Sequence, residues 1–379
     1  MLKHISIKKL FQLYDYEIDL TASEGNPIQN MMFLTGPNGM GKSTILKSVA
    51  HVYKGELGAF STFPFETMTF DFDSCRLMVS QQVDFEVAEV DSDISAEKTV
   101  RISCDFLTKG QKPVSEHGEW AYKDGLKLAI PVCMPNMEMY FNSHKCLYIS
   151  DHRLQENVDD AVVHPEFIIN VLRTIQAKLT EGFAMPPGAV VGWSGSMEER
   201  INKVKETMKL LSDCDVVIPI DLDVLENENN VSDHLLIGCE RAINNCGTLL
   251  LRLQGFQMFM ESSKFLGKTF RITMANGLQF YAQNEDKTML GFSQLSLGEK
   301  HIISQIYTMF FSPIPYQLVL VDEPELSFHL MWQMQYLNNI KAVQNMRKCA
   351  FLIATHSTQV FEGKFELATD LFTQSQQSE

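Results

Sequence analysis

The octapeptide Gly36-Pro37-Asn38-Gly39-Met40-Gly41-Lys42-Ser43 lies between the apolar run Met31-Met32-Phe33-Leu34 and the helix-forming run Thr44-Ile45-Leu46-Lys47-Ser48-Val49-Ala50. Strand, glycine-rich loop and helix in that order commit the chain to an α/β fold whose loop wraps phosphate. Glycines at 36, 39 and 41 permit backbone angles closed to other residues, so successive N–H groups can converge on phosphate oxygens. The helix opening near Lys42 aims its positive end at the same place. Lys42 is expected to reach the β- and γ-phosphates of a nucleotide and Ser43 to ligate Mg²⁺. The loop backbone from Gly36 through Pro37, Asn38, Gly39, Met40 and Gly41, with Thr44, completes the expected binding set.

A second apolar run, Leu318-Val319-Leu320-Val321, ends in Asp322-Glu323-Pro324. Continuous branched residues predict a central parallel strand buried on both faces, with the two carboxylates emerging at its carboxyl end. Open α/β sheets bind ligands there, so Asp322 is expected to hold Mg²⁺ through water and Glu323 to act as general base. Pro324 lacks an N–H and stops the ladder. The run Ala350-Phe351-Leu352-Ile353-Ala354-Thr355 ends the same way at His356, whose imidazole could sense or orient the γ-phosphate region. A third segment, Leu295-Ser296-Leu297-Gly298-Glu299-Lys300, opens a helical run, where a hydroxyl and backbone N–H groups can face an anion or simply cap the helix.

The order of P-loop, L-S-x-G-E, apolar-D-E-P and apolar-T-H-S resembles the ABC ATPases of the SMC/RecF/OLD group, and Asn38 is similar to that group's usual G-x-N-G-x-G-K. The resemblance implies a P-loop NTPase of ABC type with an antiparallel β subdomain and a helical insertion. It also implies ATP and Mg²⁺ as cofactors, and a head-to-tail dimer in which Ser296, Gly298 and Glu299 act in trans on the partner's nucleotide. Four further segments are similar to ATPase subunits of prokaryotic anti-phage systems of Septu, retron and PARIS type: residues 10–18, residues 147–154, Asp322-Glu323-Pro324-Glu325-Leu326-Ser327-Phe328-His329 and Ala354-Thr355-His356-Ser357. That likeness implies a homodimer or higher homo-oligomer that gates a separately encoded nuclease or toxin. The alternatives are a DNA-repair or DNA-end-binding ATPase and an ATP-bound scaffold with little turnover. His152 stands where the Q-loop glutamine is usual, Leu297 replaces a small residue, and His329 takes the place of the D-loop aspartate.

The 379 residues, 45% of them hydrophobic, suffice for a large core. No apolar stretch approaches the roughly 20 residues needed to cross a bilayer, and the amino terminus reads as a strand. Eight scattered cysteines suggest reduced thiols and a cytoplasmic protein. A net charge of −15 argues against broad coating of DNA or RNA. Local contact remains open at Lys203, Lys205 and Lys209 or at Lys264, Lys268 and Arg271.

Residues 1–150 are expected to form a first lobe with antiparallel strands, 151–270 a helical insertion for dimer or partner contacts, and 271–372 a second lobe. The P-loop helix should end at Gly55 or Gly58, and a capping box at Ser196-Met197-Glu198-Glu199 should start another helix. Residues 373–379 read as a disordered tail, which leaves no room for an OLD-type nuclease domain. An Asp221-x-Asp223 pair at the end of a strand from Val216 is a weaker nuclease candidate. Phe11, Tyr14 and Tyr16 are candidates to stack on adenine.

Overall fold

The computed structural model describes residues 1–21, 30–90, 93–110, 112–123, 126–127, 134–150, 165–186, 192–220, 233–263, 267–326 and 328–377. The chain divides into two compact units, Met1–Arg153 with Pro313–Glu379, and Leu154–Ser312. The segments containing His152, Asp221, Asp223, Lys264 and Ser327 lie outside the described residues.

In the first unit, five parallel strands are ordered β15-β3-β14-β13-β9. They are β3 (Met31–Thr35), β9 (Lys145–Ile149), β13 (Tyr316–Asp322), β14 (Ala350–Ala354) and β15 (Ala368–Asp370). All of β14 and nearly all of β13 are buried, as their unbroken apolar runs require of strands covered on both faces. Seven antiparallel strands form a second sheet, in the order β2-β1-β4-β5-β6-β7-β8. These are β1 (Leu2–Leu10), β2 (Tyr14–Asp19), β4 (Thr67–Phe72), β5 (Cys75–Val90), β6 (Asp93–Thr108), β7 (Ser115–Lys123) and β8 (Leu126–Lys127). In β4, Met68, Phe70 and Phe72 are buried while Thr67, Thr69 and Asp71 are half-buried, the alternation of a sheet with one core face.

Helix α1 (Lys42–Lys54) places Ile45, Leu46 and Val49 in the same apolar cluster as Ile5 and Phe70 of the antiparallel sheet and Leu320 and Leu352 of the parallel one. Gly55 ends it at φ 71°. The unit also holds α2 (Pro135–Ser143) and α7 (Leu330–Arg347), the latter capped by His329, whose ring accepts from Met331 N–H. The expectation of a disordered tail is corrected as far as Gln377, the last described residue. Leu371–Gln377 form helix α8, because Asp370 accepts from the N–H groups of Phe372 and Thr373 and Leu371 is buried. The Gln374 amide also brackets the main chain of Glu17 with bonds of 2.7 and 3.1 Å.

The second unit comprises α3 (Pro165–Ala184), α4 (Met197–Asp213), α5 (Asp233–Ser262), the antiparallel sheet β10 (Lys268–Thr273), β11 (Gly277–Ala282) and β12 (Met289–Leu290), and α6 (Leu297–Phe311). The capping box at Ser196 and Glu199 starts α4. Gly247, at φ 57°, breaks the regularity of α5. Helices α3 and α5 come so close that a methyl group on Gly182 would sit 2.6 Å from Ala242 Cα. Residues 216–220 carry no strand, so the strand expected before Asp221 is absent from the described part of that segment. Residues 271–312, read from the sequence as part of a second lobe, group with the helices here, since Lys268 is ion-paired to Glu299 and α6 packs on α5. No helix among the described residues is long and apolar enough to cross a membrane.

One ionic contact sits deep in this unit. Glu240, fully buried, takes Arg200 in a two-pronged bond of 2.7 and 2.9 Å and also accepts from Trp193 N–H. Removing one partner of such a pair leaves a buried charge uncompensated, which costs about 3 kcal/mol. Arg200→Ala is therefore expected to destabilise the helical unit by about that amount in urea titrations; a loss under about 1 kcal/mol would show that the pair carries no structural weight.

Candidate nucleotide-binding site

Gly36, Gly39 and Gly41 adopt φ of 138°, 84° and 88°, angles that side chains oppose. At Gly41 the neighbourhood opposes them too, since a Cβ there would lie 2.6 Å from Leu10 Cδ2 and 3.2 Å from Phe11 Cε2. Gly41 caps α1 without a side-chain bond, and no acid stands in the first helical turn. The opening N–H groups of α1 thus face no carboxylate of their own helix and suit an anion. Met40 is buried, and its carbonyl accepts from Tyr16 hydroxyl at 3.0 Å. Pro37 and Asn38 are exposed on the loop, and Thr44 O holds Ser48 Oγ.

Lys42 is buried, and its ammonium donates to Gly36 O at 2.8 Å and Pro37 O at 3.1 Å and lies 3.5 Å from His356 Nδ1. Burial lowers its pKa, and the nearby carboxylates of Glu323, Asp322 and Glu325 partly offset that. On the other side of the imidazole, His356 Nε2 lies 3.1 Å from Glu323 Oε1. The imidazole thus lies between the lysine ammonium and the carboxylate. Ser43 Oγ donates to Asp322 Oδ1 at 2.9 Å, and Tyr148 hydroxyl lies 3.3 Å from Asp322 Oδ2. The parallel sheet makes this convergence, since β3, β13 and β14 all deliver their carboxyl ends to one edge.

Glu323 is held at φ 45°, a left-handed backbone uncommon for such a residue, while its N–H donates to Ala354 O at 2.9 Å. Strain of this kind costs on the order of 1–3 kcal/mol and persists only where neighbours over-determine it. Glu325 helps to do so. Its Oε1 accepts from the N–H groups of His356 at 2.6 Å and Ser357 at 3.2 Å, tying the loop after β13 to the loop after β14. Sequence reasoning gave no role to Glu325 or Tyr148. The third acid in Asp322-Glu323-Pro324-Glu325 is a signal for the first of these, whereas Tyr148 has none.

The hard oxygen donors Ser43 and Asp322, already in register with each other, fit Mg²⁺. Tyr16 is fully buried with its ring stacked on Tyr14, so it belongs to the core; Phe11 is partly buried against the same cluster.

In the second unit, Ser296 is the exposed N-cap of α6, whereas Gly298 and Glu299 are buried. Glu299 Oε2 accepts from Ser296 N–H at 2.7 Å and Ser296 Oγ at 2.9 Å, and Oε1 accepts from Lys268 Nζ at 2.7 Å. Burial is the largest influence on the Glu299 carboxyl and pushes it up, but the bonds from Lys268 and Ser296 outweigh it and leave the pKa lowered.

Two outcomes follow from this geometry. Gly41→Ala should abolish nucleotide binding through both its φ and the clash at Leu10, measurable by titration with a fluorescent ATP analogue; retained affinity would contradict the loop geometry. A carboxyl depressed in the folded chain contributes stability above its unfolded value near 4.5 and loses it as pH falls toward the folded value. Glu299→Gln should therefore be less stable than the parent at pH 7, with the difference in melting temperature closing below about pH 4. A gap that widens in acid would refute the assignment.

Residues 199–362, which hold the Ser296 turn, the Asp322–Glu323 pair and His356, match the family described as "AAA domain, putative AbiEii toxin, Type IV TA system". No curated protein matches the chain. Among solved structures, it is similar to an SMC head bound to the C-winged helix domain of ScpA, at 11% identity over 95% of this chain and 90% of that one, with a TM-score of 0.36. The SMC head domain from Thermotoga maritima is similar at 12% identity over 97% and 92%, with a TM-score of 0.35. An SMC head with a coiled coil and joint derived from Pyrococcus yayanosii follows at 10% over 95% and 93%, with a TM-score of 0.40. The chain thus has a mixed α/β fold in which a glycine-rich phosphate-binding loop joins a parallel strand to a helix, beside an antiparallel sheet.

Proposed function

We propose that this chain binds and hydrolyses ATP with Mg²⁺ in the cytoplasm, and that ATP closes two copies head to tail. The observation that carries this reading is the linked set Lys42, His356 and Glu323 beside the Ser43–Asp322 pair. Lys42 exchanges its two loop carbonyls for β- and γ-phosphate oxygens, which relieves a buried ammonium of its desolvation. Ser43 and Asp322 would hold Mg²⁺, which when bound neutralises charge developing on the phosphate oxygens. Glu323 accepts the proton of the attacking water, and His356 fixes the carboxylate that does so. Ser296 and Gly298 of one copy face the nucleotide of the other, with the Ser296 turn set by Glu299.

In this reading ATP is a ligand that selects the closed dimer and hydrolysis reopens it. The cycle gates a separately encoded effector, a nuclease or toxin, in defence against phage. The motif resemblance and the matched AAA segment support that role. The chain's net charge of −15 favours a protein partner over nucleic acid as the first contact.

Glu323→Gln should lower the rate of hydrolysis about 10²- to 10⁴-fold and accumulate the ATP-bound dimer, whereas Lys42→Ala should not dimerise in ATP. Size-exclusion chromatography with light scattering reads both. Equal dimerisation of the two variants would overturn the mechanism, and ATP turnover stimulated by DNA alone would move the role to DNA repair.

A further inference from the structure

Among the described residues, no strand pairs with the outer side of β10 in the sheet β10-β11-β12. In antiparallel pairing, successive residues turn their main-chain groups alternately toward the partner strand and away from it. Gln283 N–H donates to Gly267 O at 2.8 Å, which puts Gly267, Thr269 and Arg271 on the paired side and turns the N–H and C=O of Lys268, Phe270 and Ile272 outward. By the same alternation Met274 N–H faces outward, and it already donates to Cys214 O at 2.9 Å. No hydrogen bond among the described residues engages the outward groups of Lys268, Phe270 or Ile272.

A cavity of about 750 Å³ follows this edge, lined by residues 267–272 and, from the ends of α4 and α5, by Asp213, Cys214, Gln257, Met260 and Glu261. Gln257 Oε1 is buried there with no hydrogen-bond partner among the described residues. An evenly spaced row of main-chain donors and acceptors is complementary to one thing, an extended main chain. Charge narrows the occupant further. The Lys268 ammonium is spent on Glu299, while Arg271 is 60% exposed and reaches Asp215 only at 4.0 Å. Among the described residues that line the cavity, Arg271 is therefore the cation that offers itself to an occupant, and side chains placed beside Asp213 and Glu261 must be neutral or basic.

We propose that the open edge of β10 receives an extended segment of a partner protein as an added strand, continuing the row begun by Met274 and Cys214, with an acidic side chain against Arg271. Occupancy is felt at the Ser296 turn, because Lys268 is both a rung of this edge and the donor that holds Glu299. That second step rests on the ATPase reading above; the docking itself does not.

The test uses the full chain without nucleotide, panned against a displayed library of random decapeptides, with the enriched peptides then titrated by fluorescence polarisation. Enriched sequences should alternate in the manner of strands and carry an acid. Phe270→Pro removes an outward N–H at an edge where proline is tolerated, and Arg271→Glu reverses an exposed charge; each should weaken binding about tenfold or more. Bound peptide should slow amide exchange at Phe270 and Ile272 and leave Thr269 and Arg271, already paired, unchanged. No enrichment, or peptides that bind both variants as tightly as the parent, would overturn the proposal. Docking that leaves both Ser296 exchange and ATP turnover unaltered would remove the second step alone.

Discussion

The bond from Ser43 to Asp322 joins two segments 279 positions apart, and most of the nucleotide site is arranged around it. Ser43 is fixed because the glycine loop must turn into α1 immediately before it. Asp322 is fixed because β13 is buried on both sides and can release a polar residue only at its end. A buried carboxylate is tolerable only with partners, and Ser43 and Tyr148 are partners that also define where a cation would sit. From this anchor the next residue, Glu323, must leave the strand in a left-handed turn, which brings its carboxylate to His356.

Charge is distributed around that anchor in opposition. Among the described residues, the one buried ammonium, Lys42, lies among the carboxylates Glu323, Asp322 and Glu325, whose attraction partly offsets its burial. Glu325 works differently, through two main-chain N–H groups, and couples the loops that carry the carboxylate pair and the histidine. In the other unit Glu299 plays a similar part for the Ser296 turn. Both carboxylates set the geometry of a neighbouring residue.

The sequence made legible which residues come together around Lys42, because each motif is a strand end or a helix start, and those positions follow from apolar runs and glycines. It also showed the capping box at Ser196, an N-cap at Ser296 and an end of α1 at Gly55 or Gly58, of which the structure takes Gly55, since capping depends on residues three or four apart. What it hid depends on distant packing. Tyr148 meets Asp322 only because β9 lies beside β13, and the pairing of Lys268 with Glu299 needs the hairpin to fold back on α6. The polar run after Leu371 looked incapable of order, yet one buried leucine and an aspartate cap suffice to wind it.

The strand that precedes the P-loop lies between β14 and β15 in the parallel sheet. Met31 pairs with Phe351 and Phe33 with Ala368, so both sides of β3 wait for main chain made about 320 residues later. At about 5–20 residues per second, a ribosome needs tens of seconds to supply them. For that interval a strand of four apolar residues and a threonine, with its glycine loop, stands with two unpaired edges, and the phosphate cradle cannot exist. Competence to bind nucleotide is thus a late event in the life of each chain, and nascent copies have a period in which holding by a chaperone, or pairing with the wrong strand, decides their fate.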